Sequence, residues 1–456
     1  MIRKPLLMLA LLMPAVGAGA DVEEILTTAH KASRDALGVV RFTYADETGE
    51  RNMSGQAICI DASGLFITLE IDARLAGDRL GDFELVRPGK TDEPVPAKLL
   101  WVDELTGVGF IETDKPAGWK PISFADTSDL YVGQPVASAG LMPADVGHTP
   151  YLGGAHVSAM VRVPSRLVYV TSGNLTRYGS PVFRADGKAV GLVQQQRPLA
   201  NRFIRLGRRQ APVTVTNRQE TSFFLPVDEF ADVLARPRKP RRLSWIGVLN
   251  FEPVSADIAA VKGIDQPAVR VGTIVDGTPA DEADLREGDL VIAKGGKPLR
   301  QFATPQLTAR HLSQQISGAE PETAVKLTLL REGGKKEVTL KIQPVPQRPW
   351  EAPRHYDRTL GLGVRQRVML DQHLQRTPAP DVPGMIVYAV RSDSPAGKAG
   401  FQNNDVLMSL DGKSIRTADR YRAVAADVLA SPGRAVPAEI MRGETKQTLQ
   451  IAVPSR

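Results

Sequence analysis

Acyl transfer at a peptide bond needs a serine that attacks, a histidine that takes its proton and a buried aspartate that orients the histidine. Few residues of this chain could fill those roles. Six histidines occur in 456 residues. His30 falls in a helical stretch, His148 in the loop ADVGHTP, and His156 at the head of the run HVSAMVR. Both later ones read as surface or packing residues. Ser180 stands directly before Pro181 in NLTRYGSPVF, where a turn hydroxyl facing solvent or backbone is expected. Asp103, in DELTG, reads as a surface or turn aspartate. No two histidines have the spacing of a zinc-binding helix, and a single cysteine rules out a CxxC pair, so no metal site is expected. The stretch REGGKK lacks the strand-to-helix setting of a phosphate loop, and no cofactor is expected. The basic runs RFIRLGRRQ and RPRKPRR read as a solvated loop and a linker. With little aromatic interleaving, they point to no specific nucleic-acid partner.

The elements that must position such residues are short and mostly extended. Hydrophobic residues make up 42% and charged residues 24%, which excludes intrinsic disorder. Forty glycines and 34 prolines favour turn-rich β structure over long helices. A net charge of +6 is too weak over this length to argue for a nucleic-acid partner. The chain opens with Arg3 and Lys4, an apolar run Leu6 to Val16, and Ala18-Gly19-Ala20. This reads as a signal peptide cut after Ala20, which places the mature protein in the periplasm or outside the cell. There Cys59, in the strand-like run QAICI, has no intrachain partner and reads as a buried, inert thiol.

Residues 21–38 read as an amphipathic helix that stops at Gly38. Residues 39–234 carry short apolar runs between turn signals, the pattern of a barrel or sandwich, and VDEFADVL reads as a closing helix. Residues 235–243 and 344–355 are rich in proline and charge and read as linkers. They bracket a duplication, residues 244–343 and 356–456, with a period of about 116 residues. Pro279-Ala280 matches Pro395-Ala396, and Asp289 matches Asp405.

Ser394-Pro395-Ala396, Ala399-Gly400-Phe401 and Asp405-Val406 resemble the core pattern of PDZ domains, and the first copy is similar. Asp284 and Asn404 stand where that pattern usually has glycine. GQAICIDASGLFIT, YVGQPVASAGLMPADVG, HVSAMVR and YGSPVFRADGKAVGLV resemble the trypsin-like domain of the HtrA (DegP/DegQ) family. The resemblance implies a mostly β chain: a trypsin-like double β-barrel domain over 39–234, then two α+β PDZ domains. It also assigns the catalytic positions. The family's histidine position falls on Ile71, its aspartate on Gly107 and, anchored on Pro181, its nucleophile on Tyr178, with Thr176 in place of a glycine of the oxyanion loop. None of these side chains can perform the family's chemistry.

The expected function is therefore that of an exported pseudoprotease: a peptide-binding or chaperone-like envelope protein acting through its PDZ domains. The alternative is an active quality-control endopeptidase with a shifted site built on Ser180. PDZ domains take extended peptides by strand addition, with a glycine-containing loop that receives a terminal carboxylate. Gly361-Leu362-Gly363-Val364 resembles that loop closely, and Trp245-Ile246-Gly247-Val248 is a looser match in which Trp245 could occupy the approach. The groove's far wall falls on residues 304–316 and 419–429. Protein or peptide C-termini are the partners this implies, with unfolded envelope proteins as further clients. The family's trimers and cages leave a homo-oligomer open.

Overall fold

The computed structural model describes residues 22–455, except 48, 76–78, 117, 195–199, 207–208, 216–221, 262 and 375–381. The signal peptide read in residues 1–20 lies outside the described residues, and of the basic run 202–210 only strand backbone is described. The fold is mostly β: a trypsin-like domain followed by two PDZ domains.

Helix α1 (Val22–Ser33) buries Ile25 and Ala29 against the domain behind it. It stops before Gly38, the expected end. Gly38 instead pairs with Ala57 inside strand β1 (Leu37–Asp46), because Ala36, Leu37, Val39 and Val40 are all buried and draw the chain into the sheet.

Strands β1, β2 (Gly49–Asp61), β3 (Leu65–Thr68), β4 (Leu80–Arg87), β5 (Lys90–Pro96), β6 (Lys98–Val102) and β7 (Gly109–Glu112) form one sheet in the order β5-β4-β1-β2-β3-β7-β6. A double barrel is the expectation, and this half does not close. Its two edge strands are halves of one segment, and the ladder is interrupted between Pro96 and Lys98. Ala97 N–H still bonds to the Phe83 carbonyl of β4 at 2.9 Å, whereas Lys98 already pairs with Glu112 of β7. The sheet is a half-barrel. The second half does close. Strands β8 (Pro135–Leu141), β9 (Pro150–Arg162), β10 (Arg166–Thr171), β11 (Pro181–Phe183), β12 (Ala189–Gln194) and β15 (Phe223–Pro226) form a barrel, with a separate hairpin of β13 (Ala200–Leu206) and β14 (Arg209–Val215). Between the halves, Phe66, Phe110, Phe183 and Phe230 are fully buried, each stabilising by about 1.5–3 kcal/mol relative to exposure.

Cys59 is fully buried on β2, and burial pushes its thiol up to about 11 from an ordinary 9.0. At pH 8 its thiolate fraction is then about a hundredfold below that of a free thiol. Iodoacetamide is therefore expected to leave native protein unmodified at pH 8 and to alkylate one thiol per chain in denaturant, read by intact mass. Rapid native alkylation would contradict this burial.

Each PDZ domain is an antiparallel sheet closed by a helix, Pro305–Ser317 in the first and Ala418–Leu429 in the second. The two glycine departures fall where the backbone is left-handed. Asp284 has φ +53° and Asn404 φ +72°, while the other copy has Gly400 at +91° and Gly288 at +90°. Asp and Asn are the non-glycine residues that tolerate this region best. Asp289 and Asp405 play one role twice. Each carboxylate takes a turn amide (Arg286 or Gln402) and pairs with an arginine of the terminal hairpin, Arg331 or Arg442.

Candidate functional site

Three loops of the trypsin-like domain converge on the positions singled out in the sequence. The loop before β11 is pinned to β12 by Gly179 N–H to Val193 O and Val193 N–H to Ser180 O. Thr176 is held by its amide to Ser138 Oγ at 2.7 Å. The turn before β7 closes through Gly107 N–H to Asp103 O at 2.7 Å. A Cβ added at Gly107 would lie 3.9 Å from the Tyr178 hydroxyl, so these two positions face each other. The loop after β3 supplies Leu69, which packs under Gly179, and Ile71, which is 3% exposed in the core against which Tyr178 packs. The three positions assigned from the sequence, Ile71, Gly107 and Tyr178, thus lie on loops that meet, with Gly107 facing Tyr178.

What holds the loops together is a different set of contacts. Glu70 pairs with Arg177 at 2.7 Å, tying the β3 loop to the β11 loop. Burial pushes the Glu70 carboxyl up, and the Arg177 guanidinium opposes it. Arg177 and Glu70 are residues that sequence reasoning did not connect; their only signal was that both flank the assigned positions.

The substitute residues do not assemble. Ser180 is fully buried and faces Gly140, where an added Cβ would meet its Oγ at 2.8 Å. Its hydroxyl has no hydrogen-bond partner among the described residues, so no base touches it. The expected turn hydroxyl facing solvent or backbone is corrected: the tight packing of β11 on β8 encloses it. Asp103 is a turn aspartate, bonded to the Thr106 amide and hydroxyl, yet it is 1% exposed rather than at the surface, because the turn folds under Arg241. Burial pushes its carboxyl up. His148 is buried, which pushes its imidazole down, and His156 is half-buried on β9. Among the described residues no group of three His, Cys, Asp or Glu side chains could hold a metal.

In the PDZ domains the two glycine-containing loops can be aligned by their bonds. The Ile246 carbonyl accepts from Ala280 and the Gly247 carbonyl from Val275; the Leu360 carbonyl accepts from Ala396 and the Gly361 carbonyl from Arg391. Trp245-Ile246-Gly247-Val248 thus corresponds to Thr359-Leu360-Gly361-Leu362, and Gly363 and Val364 lie further along the strand. Gly247 (φ +98°) and Gly361 (φ +66°) are required: an added Cβ would lie 1.9 Å from Thr278 Oγ1 or 2.2 Å from Ser394 Cβ. In the first domain the N–H groups of Ile246, Gly247 and Val248 have no acceptor among the described residues, and the Trp245 indole donates to the Val248 carbonyl at 2.8 Å, beside the edge where a strand would add.

Comparison with known proteins agrees with this architecture. A family model described as a trypsin-like peptidase domain matches residues 20–192, and a PDZ domain model matches 247–342 and 360–453. A probable periplasmic serine endoprotease, DegP-like, of Rhizobium meliloti is 25% identical over 402 residues, covering 82% of this chain and 72% of the relative. A protein of the same description from Halomonas elongata is 28% identical over 360 residues, covering 76% and 69%. The fold is shared with the HtrA-type protease AlgW solved with a decapeptide (TM-score 0.52, 13% identity, 71% of this chain and 99% of that one). It is shared equally with AlgW solved with a tripeptide (TM-score 0.51, 15% identity, 71% and 98%). A trypsin-like peptidase domain followed by two PDZ domains places this chain in the HtrA/DegP-like family.

Proposed function

We propose that this chain is an exported HtrA-like pseudoprotease that binds the C-termini of proteins and peptides and does not cleave them. The observation that carries the reading is the occupancy of the convergent loops. Isoleucine at 71 takes no proton, glycine at 107 has no side chain to orient an imidazole, and tyrosine at 178 has no histidine at position 71 to activate it. Binding is supported by the first PDZ loop, whose three unpaired amides suit a carboxylate. The relatives are named periplasmic, in keeping with the leader read at residues 1–20. Unfolded envelope proteins are the client class that the family placement supports.

The test titrates mature protein, residues 21–456, with a fluorescein-labelled octapeptide ending in Tyr-Val and with its C-terminal amide. Hydrogen bonds to a charged group contribute about 1.5–3 kcal/mol each, so the carboxylate form is expected to bind at least about tenfold tighter. It is also expected to be recovered intact by mass spectrometry. Equal binding of the two forms would remove terminus recognition, and cleaved peptide would remove the pseudoprotease.

A further inference from the structure

We propose that the second PDZ domain carries its ligand strand within its own chain: Arg354–Asp357 fills its groove, and a foreign peptide enters there only by displacing that strand. This rests on reading the repeats as peptide-binding domains.

The strand Arg354–Asp357 pairs antiparallel with Leu362–Arg365, on the edge opposite Met385–Val390. It also packs against helix Ala418–Leu429, so it lies in the slot between strand and helix. Its direction is that of a ligand, since its C-terminal end reaches the glycine loop. There Asp357 uses both its acceptors: the carbonyl takes Gly361 N–H at 2.8 Å and the carboxylate Oδ1 takes Leu360 N–H at 2.8 Å. The corresponding amides of the first domain, Gly247 and Ile246, have no acceptor among the described residues. An internal residue thus occupies the donors that a terminal carboxylate would use.

Side chains fix the strand from both faces. His355 meets the Tyr421 ring edge-on, centroids 5.9 Å apart. Tyr356 and Tyr388 flank Gly363, where an added Cβ would lie 3.0 and 2.9 Å from the two rings. Arg354 stacks over Tyr388. Behind the strand, Tyr421 is fully buried and donates to the Leu362 carbonyl at 3.0 Å. The PDZ fold does not require this arrangement. In the first domain the lead-in strand Ser244–Trp245 pairs with Gln343–Pro344 instead, and among the described residues no strand lies between Phe251–Pro253 and its helix.

A tethered strand competes at an effective concentration in the millimolar range, so it suppresses weaker ligands without any change of fold. The test uses the occupant itself as probe: a fluorescein-labelled peptide of residues 350–357, WEAPRHYD, ending in a free carboxylate. In the full mature chain, His355→Pro with Asp357→Ala removes the strand amide that faces Val364 and the loop-capping carboxylate. The double variant is expected to bind one more equivalent of peptide than wild type; equal stoichiometry overturns the proposal. Hydrogen exchange of wild type and Asp357→Ala gives an independent reading. The Leu360 amide is expected to be protected in the first and to exchange at least about tenfold faster in the second, with Val387 and Val406 unchanged. An unprotected Leu360 amide in wild type also overturns it, whatever the first domain binds.

Discussion

Reduced casein incubated with the mature chain, residues 21–456, is expected to stay intact, at a rate at least about a millionfold below that of a working enzyme of the same fold. That magnitude follows from the parts replaced. Nucleophile and base act as a unit, so losing either forfeits most of what losing both forfeits. On the proposed assignment the base position holds Ile71, within the core, and the orienting position holds Gly107, which has no side chain. Ser180→Ala is expected to change nothing, because that hydroxyl is buried against Gly140 with no partner to activate it. Tyr178→Ser alone is also expected to stay inactive, since on the same assignment isoleucine rather than histidine stands at position 71. Gly107→Asp would meet a second obstacle, a backbone φ of +80°. Cleavage lost on Ser180→Ala would assign the nucleophile to Ser180 and sink the pseudoprotease. Cleavage unaffected by Ser180→Ala but abolished in Tyr178→Phe would make Tyr178 itself reactive.

The assignment of the catalytic positions rests on two residues of the sequence. Pro181 sets the register of the nucleophile loop, and Thr68 closes the strand before Ile71. The structure keeps both, Thr68 through its hydroxyl to the Gln56 carbonyl at 2.7 Å. The Glu70–Arg177 bridge was not legible, since the two residues are far apart in sequence and neither carries a spacing signal. The repeat revealed Asp289 and Asp405 but not Arg331 and Arg442, whose separations from them, 42 and 37 residues, differ between the copies.

Strands without apolar alternation escaped as well. The first half of β2, Gly49 to Ser54, is mostly exposed and polar, yet it pairs with β1 in register and Arg51 reaches Asp46 across the pair at 3.4 Å. Arg354–Asp357 sits in a linker-like stretch, so its charge and the neighbouring prolines argued against a strand. The loop register of the second PDZ domain was ambiguous for a simpler reason. Gly361 and Gly363 stand two apart, and both offer a plausible tetrapeptide. Only the partners of the Leu360 and Gly361 carbonyls decide between them.

Arg365→Ala is expected to destabilise the second PDZ domain by about 3–5 kcal/mol, the cost of leaving a buried charge without its partner. Arg365 and Asp371 have side chains 4% and 1% exposed and form a two-pronged pair, at 2.9 and 2.6 Å. Asp371 also accepts the Val368 amide at 2.7 Å, and Arg365 reaches the Gln366 carbonyl at 3.1 Å. The pair therefore folds the loop after Leu362–Arg365 back onto that strand. Its position gives it a second consequence. Arg354 stands directly opposite Arg365 in the ladder, and like charges so placed repel. Asp371 neutralises Arg365 beside that strand, so Asp371→Ala is expected to loosen Arg354–Asp357 as well as the domain. Replacing both partners with apolar residues of similar size, Arg365→Met with Asp371→Leu, removes the unpaired charge and is expected to cost far less than either single change. Because multi-domain chains depart from two-state unfolding, the readout is hydrogen exchange at Val387 and Val406 rather than a single melting curve. Single variants no less protected than wild type at those amides would show that the pair carries no stability.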